Sequence, residues 1–290
     1  MIKVNDPIYG TFELPEIFED LLNTKAIRRL EGIHHSGAIF LVNPGICHNR
    51  LEHSIGVMLL IRMLGGTELE QIAGLLHDIS HTAFSHVGDY IFENKNEDYH
   101  EQKFESVLLD SEVPDILIKY NYHISQILQG GFDILEQPLP FLCADRLDYT
   151  LRDAMHAKLI TRQHARSFLS AITLHHGKIV LNKEECADWI NHIYKRLNKE
   201  VFNAPLYVYA NQKLALLVRG LINKGQIKEE HLLKDDTFLL NKIRSTTYGY
   251  DAIKAIKLRQ GYNEFLKKGA SIHIKPRHLA AQFLTEEEQN

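Results

Sequence analysis

Residues 49–78, NRLEHSIGVMLLIRMLGGTELEQIAGLLHD, decide the fold. Asn49 is a side chain suited to cap a helix N-terminus, and the spacing from it predicts a helix to about Leu64, closed by Gly65-Gly66. Beyond Arg50 and His53 this segment is apolar almost all round (Ile55, Val57, Met58, Leu59, Leu60, Ile61), so it belongs in an interior. Thr67 caps a second helix, TELEQIAGLLHD, again apolar on most sides. The run IAGLL ends on His77-Asp78, and an acid there is costly unless it is paired or bound to metal. Adjacent residues point about 100° apart around a helix, so both side chains can reach one ion lying between those directions. His53 comes from the preceding buried helix.

Helical signals dominate on either side. Pro15 predicts the start of a helix running to about Gly32, and the apolar stretch 38–42 ends in the turn Asn43-Pro44-Gly45. Further helices are expected at about 86–94, 100–110, 114–129, 140–156, 162–173, 184–203 and 206–222. One strand pair is expected, Ala171–Leu174 with Ile179–Leu181, joined by HHGK. The fold class is therefore mostly α with a small β-hairpin. Patterning weakens after Leu232.

Composition bounds the function. The hydrophobic share of 44%, the charged share of 24% and a net charge of −4 are ordinary, and the whole molecule is not a magnet for nucleic acid or membrane. Cys47, Cys143 and Cys186 are far apart, which argues against a disulfide framework or a thiolate zinc site. The start lacks the apolar core of a signal peptide and no apolar run could span a bilayer, so a cytoplasmic protein without a membrane partner is expected. Histidine is the outlier at 17 residues, and it is both the commonest metal ligand and a natural acid or base near neutrality. Between Leu240 and His278 nine Lys/Arg face two acids. That stretch reads as a solvated helical face, with a nucleotide, nucleic-acid or partner-protein site as the alternative. The final TEEEQN reads as a frayed tail.

A second segment, CADRLDYTLRDA, carries chemistry. With Asp145 at zero, a helical wheel puts Tyr149 at about 40°, Arg152 at about −20° and Asp153 at about 80°. Leu147, Leu151 and Ala154 cluster on the opposite side. One face thus offers two carboxylates, a guanidinium and a phenol: a metal ligand, an anion clamp and hydroxyl-binding groups. The alternative is a salt-bridged surface with Asp148 and Arg152 as an i, i+4 pair.

The stretches HNRLEHSIGV, LLHDISHTAFSH, HEQKF and ADRLDYTLRD, in that order, resemble the HD superfamily, and specifically its dNTP triphosphohydrolase branch. The opening DPIYGTFELPEIFEDLLNTKAIRRLEGI is similar to that branch as well. The resemblance covers roughly residues 5 to 160, and on it we divide the chain into an HD phosphohydrolase core at 1–160 and a helical C-terminal extension at 161–290. In larger relatives the latter region helps to build oligomers, which implies a homo-oligomer. The resemblance implies metal ligands at His53, His77, Asp78 and Asp145, for manganese, iron, nickel, zinc or magnesium. It implies that Arg50 touches the phosphate chain, that His86, steadied by Asp89, protonates the leaving oxygen, and that His81 and His100 line the phosphate pocket. Arg146 stands at a basic phosphate contact, and Tyr149 and Asp153 match residues that hold a sugar 3′-hydroxyl. His35 replaces a glutamine set against the sugar, Ser36 replaces an apolar neighbour, and Lys213 is what remains of a run gripping outer phosphates.

Three readings of function follow. The first is hydrolysis of a dNTP to deoxynucleoside and triphosphate. The second is an HD phosphatase acting on a nucleoside monophosphate or another small phosphate ester. The third is a non-catalytic nucleotide or nucleic-acid sensor, for which the basic stretch is the support and the His86–Asp89 pair the objection.

Overall fold

The computed structural model describes residues 1–267 and 277–284. Asn49 caps the helix Arg50–Met63, its Oδ1 accepting from the Glu52 N–H at 2.9 Å. Thr67 and Glu70 form a capping box at the start of the helix Glu68–Leu76. These two helices pack against each other at the centre of the main core. Gly74 permits their close approach, because a Cβ there would lie 2.7 Å from Ile61 Cδ1. Val57 through Ile61 are fully buried. At about 1.5–3 kcal/mol for each large apolar side chain, this burial offsets the polar groups set among them. The helix Ala144–His156 crosses the first of the pair.

Several boundaries differ from the sequence reading. The expected helix from Pro15 to Gly32 is three pieces, Glu16–Leu22, Lys25–Arg28 and a 3₁₀ turn Arg29–Gly32. Thr24 restarts it, accepting from the Ile27 N–H as a fresh N-cap. The expected 114–129 helix splits into Val113–Lys119 and Ile124–Leu128 around Asn121, which takes a left-handed conformation (φ 62°). The helix expected at 162–173 ends at Leu169, where the chain turns into the strand Ile172–His175, paired antiparallel with Lys178–Leu181.

A second hairpin, Ile2–Asp6 with Gly10–Leu14, lay outside the sequence reading. Both strands alternate in burial, but at five residues each, with Lys3 and Asn5 turned outward, the signal is short and polar. The weakly patterned region after Leu232 forms helices Asp236–Arg244, Gly249–Lys257 and Tyr262–Lys267. The basic stretch falls partly at 268–276, and the TEEEQN tail wholly at 285–290, outside the described residues.

Two apolar clusters hold the described residues together. One runs from Ile8 to Ala281, and the other joins Ala38–Ile91 to Tyr209–Ile256. Each cluster takes residues from both sides of position 160. No helix among the described residues is long and apolar enough to cross a membrane.

Candidate metal centre

His53 faces inward from the second turn of its helix. His77 is the C-cap of the next helix, where the carbonyl of Gly74 has no partner further along and accepts from His77 Nδ1 at 2.8 Å. A carbonyl can only accept, so the proton is fixed on Nδ1 and Nε2 is turned to the interior. Asp145 lies in the first turn of Ala144–His156.

These side chains converge. His53 Nε2 lies 3.0 Å from Asp145 Oδ1 and 3.2 Å from His77 Nε2, and His77 Nε2 lies 3.5 Å from Asp145 Oδ1. Asp78 joins them, with Oδ1 3.4 Å from His77 Nε2 and Oδ2 3.7 Å from His53 Nε2. His53, His77 and Asp145, with ligand atoms all within 4.8 Å of one another, form a donor set suited to a divalent cation, and the Asp78 carboxylate lies beside it. The ring nitrogens facing each other at 3.2 Å repel unless a proton or a cation lies between them.

Electrostatics agree with the geometry. Burial opposes charge on His53, but Asp145 and Asp148 as hydrogen-bond acceptors raise its pKa to about 10. Burial likewise opposes charge on Asp78, yet Arg50, then His77 and His81, hold its carboxyl well below the usual range. For Asp145 the hydrogen bonds from His53 and His77 overcome burial in the same direction.

Beside this cluster lies a cavity of about 720 Å³. His35, Arg50, His77, Asp78, His81, His86, Asp89, His100, Asp145, Arg146, Tyr149 and Asp153 all line it, so the structure brings together most of the side chains singled out from sequence. Arg50 gives Nη1 to Asp78 at 2.5 Å and Nε to Ser85 at 2.8 Å, while its buried Nη2 has no hydrogen-bond partner among the described residues. His81 and His100 stack at 3.8 Å, with His86 edge-on at 5.1 Å from His81. Burial pushes the His100 pKa down to about 3, helped by His86, and drives His81 down as well, helped by Arg50. His86 is half-exposed, and its Nδ1 lies 3.0 Å from Asp89 Oδ2.

A second group surrounds Asp153. His48 Nε2 lies 2.6 Å from Asp153 Oδ1, Ser36 Oγ donates to the same oxygen at 3.3 Å, and His35 Nδ1 stands 3.5 Å away. Asp153 Oδ2 is buried without a hydrogen-bond partner among the described residues. Burial, then Arg50, lowers the His35 pKa to about 3, leaving a neutral ring. The Tyr149 hydroxyl lies 3.3 Å from that of Tyr194.

Three sequence expectations meet a different geometry. Lys213 is exposed and lies outside the cavity, its ammonium 5.9 Å from the Tyr209 ring centroid. On its helix Gln212, Ala215, Leu216 and Arg219 form the stripe that faces the cavity, and position 213 is turned about 100° from Gln212. Arg152, read as an anion clamp, is buried and ion-paired with Asp148 and Asp6. The Asp148–Arg152 pair thus exists, but in the core rather than on the surface. Arg146 spends its two terminal nitrogens on the carbonyls of Phe141 and Gln137, and Nε has no partner among the described residues.

The sequence reading passed over His48, Arg219 and Arg277, and took Asp148 only as the ion-pair partner of Arg152, not as a partner of His53. Asp148 Oδ2 accepts from His53 Nδ1 at 2.8 Å. The i, i+3 spacing from Asp145 was a legible signal for it, because it places both acids toward the same helix. Arg277 lines the cavity from the far end of the chain, ion-paired with Glu97, and no local pattern could have found it.

Comparison with known proteins gives a consistent outcome. The profile of the HD domain matches residues 50–200. An uncharacterized protein of Bacillus subtilis is 44% identical over 247 residues, 84% of this chain and 76% of that protein. A metal-dependent phosphohydrolase of Cordyceps militaris is 33% identical over 241 residues, 80% of this chain and 69% of that protein. The deoxynucleoside triphosphate triphosphohydrolase of Homo sapiens is 39% identical over 104 residues, only 31% of this chain and 17% of that protein. Among solved structures, a phosphohydrolase from Bacteroides thetaiotaomicron superposes with a TM-score of 0.69 at 20% identity, over 89% of this chain and 76% of that one, a likeness of fold.

Proposed function

The chain belongs to the HD domain family of metal-dependent phosphohydrolases, and on that premise we propose that it hydrolyses a phosphate ester of a nucleotide. The observation that carries this reading is the pair of unlike polar groups in one cavity, both adjoining the His–Asp cluster. Arg50, His86 and His100 offer donors to a phosphate beside His81, and Arg50 Nη2 has no partner among the described residues to satisfy it. Asp153, His35 and Tyr149 suit a sugar hydroxyl, with Asp153 Oδ2 free to accept.

His53, His77, Asp78 and Asp145 would hold the divalent cation, whether manganese, iron, nickel, zinc or magnesium. When bound, such a cation supplies Lewis acidity, acidifying a water and drawing charge from a phosphoryl oxygen. Arg50, and Arg146 through Nε, offset negative charge at the phosphate. His100, neutral, hydrogen-bonds its oxygens, while His81, also neutral, lines the pocket with its Nε2 turned to Asp78 Oδ1 at 3.2 Å. His86 holds a proton on Nε2 for the departing oxygen, with Asp89 fixing the ring through Nδ1.

The leading substrate is a deoxynucleoside triphosphate, cleaved at the innermost phosphorus to nucleoside and triphosphate. The partial likeness to a deoxynucleoside triphosphate triphosphohydrolase supports it. A smaller phosphate ester is favoured by one observation: Lys213 is outside the cavity, and Arg219 and Arg277, which line it, are already paired with Glu93 and Glu97. The test is a panel of nucleoside mono- and triphosphates incubated with Mn²⁺-loaded protein, with products resolved by anion exchange. Triphosphate release supports the first substrate class and orthophosphate from monophosphates the second. No hydrolysis of any member would overturn the enzymatic reading.

A further inference from the structure

Asp6, in the N-terminal hairpin, is joined to His53 by an unbroken series of buried hydrogen bonds. Its Oδ1 accepts from the backbone N–H of Ile8 at 2.7 Å and of Tyr9 at 3.1 Å, closing the hairpin turn. Its Oδ2 accepts from Arg152 Nη2 at 3.0 Å. Arg152 in turn gives Nε and Nη2 to the two oxygens of Asp148 at 2.9 and 2.8 Å. Asp148 Oδ2 also accepts from His53 Nδ1. The four side chains belong to three separate elements, and none is more than 4% exposed. Gly56, one turn beyond His53 on the same helix, makes the room: a Cβ there would fall 2.1 Å from Asp148 Oδ1 and 2.2 Å from Arg152 Nη2.

None of Asp6, Arg152 and Asp148 lines the cavity, so none touches a substrate held there. Their arrangement is also expensive to bury unless each group is matched, since a lone desolvated charge costs several kcal/mol. Two carboxylates and one guanidinium leave the chain of groups one negative charge in excess, directed at the Nδ1 face of His53. A carboxylate on that nitrogen fixes the tautomer and the ring angle and raises the basicity of Nε2. Asp148 alone would do this loosely, because its carboxylate could rotate. The two-point grip of Arg152 prevents that rotation, and Asp6 holds the guanidinium in turn.

We propose that Asp6, Arg152 and Asp148 are positioning residues of the metal centre, through which the N-terminal hairpin sets the affinity of His53 for a divalent cation. The proposal rests on the reading of His53 as a cation ligand.

The test measures Mn²⁺ binding by electron paramagnetic resonance of the free ion, without substrate, on the full chain. Asp148→Asn, which keeps the shape but loses the charge, should weaken Mn²⁺ binding about 10–100-fold. Asp6→Asn should weaken it by a smaller factor, about 3–10-fold, an estimate for the more remote end of the same network. In the double variant the Asp6→Asn effect should disappear, because its route to His53 is already broken. If Asp148→Asn does not fold, Arg152→Lys supplies the second background, and the Asp6 effect should vanish there too. A merely structural Asp6 would lower the Tm of the metal-free chain and leave Mn²⁺ affinity alone. That result, or effects that multiply in the double variant, would overturn the proposal. A wild-type chain that takes up no Mn²⁺ would overturn the ligand reading beneath it instead.

Discussion

Asp89 grips two elements at once: Oδ2 lies 3.0 Å from His86 Nδ1, and Oδ1 accepts the backbone N–H of Tyr99 at 3.1 Å. The residue therefore ties the proposed proton donor to the helix that carries His100. It also fixes which nitrogen of His86 faces the cavity. Burial works against the Asp89 carboxylate, but the hydrogen bond from His86 keeps its pKa below the ordinary value.

From this pairing, His86→Ala should slow turnover by about 10²–10⁴-fold while leaving bound metal unchanged. Asp89→Asn should cause a smaller loss of turnover, again without loss of metal. Metal content by mass spectrometry alongside steady-state kinetics checks both. Unaltered turnover in His86→Ala would remove it from the chemistry.

Asp145 faces both imidazoles of the cluster. Replacing it by alanine removes one donor and leaves two facing nitrogens without a common acceptor. Asp145→Ala should lose metal during dialysis and lose turnover with it. Retention of a full equivalent of metal would mean that the cation sits elsewhere.

Cation uptake should release protons. His53 carries a pKa of about 10 because the acceptors Asp145 and Asp148 outweigh burial, so it holds a proton at neutral pH. Only the neutral ring can ligate, so binding at pH 7 displaces close to one proton from it. Below about pH 10 the apparent Mn²⁺ affinity should rise with pH, by up to about tenfold per unit. Calorimetry in buffers of different ionisation enthalpy reads the proton directly, and a binding heat independent of buffer would contradict it.

Stripping the metal should soften the fold. A cation held at about 1,000 times its Kd stabilises the native state by about 4 kcal/mol, which corresponds to a Tm shift of roughly 7 °C for a chain of this size. Differential scanning with and without chelator checks the direction. Equal melting would argue that the cluster is held together by its own hydrogen bonds alone.

Sequence was most informative where one short segment contains both the reason for burial and the reason for chemistry. Asn49, Thr67 and the apolar residues between them define two interior helices, and His53, His77 and Asp78 are conspicuous because they stand among apolar neighbours, the other polar side chains buried there being Arg50, Ser54 and Gln71. The helix carrying Asp145 was equally legible, but the role of Arg152 was not. On a wheel Arg152 shares a face with Asp145, yet its partner Asp6 lies in a hairpin too short and polar to recognise, so burial rather than the cavity claimed the guanidinium. Lys213 shows the opposite error. A basic residue in a plausible stretch is turned away by helical phase, while Arg219, on the cavity-facing stripe, reaches the wall. Contacts between distant parts of the chain, such as Arg277 with Glu97, leave no periodic trace at all.

Arg277 reaches the cavity from a segment that then runs beside Leu181 and Asn191, where Leu284 N–H bonds the Leu181 carbonyl at 2.8 Å and Ala281 N–H bonds Asn191 at 3.0 Å. It is thus a piece of wall anchored from outside, separate from the helices that carry the reacting groups. A different side chain at this position reshapes that wall while the histidine and aspartate cluster stays as it is. Selectivity in this architecture can therefore drift, or be engineered, by edits to the periphery alone.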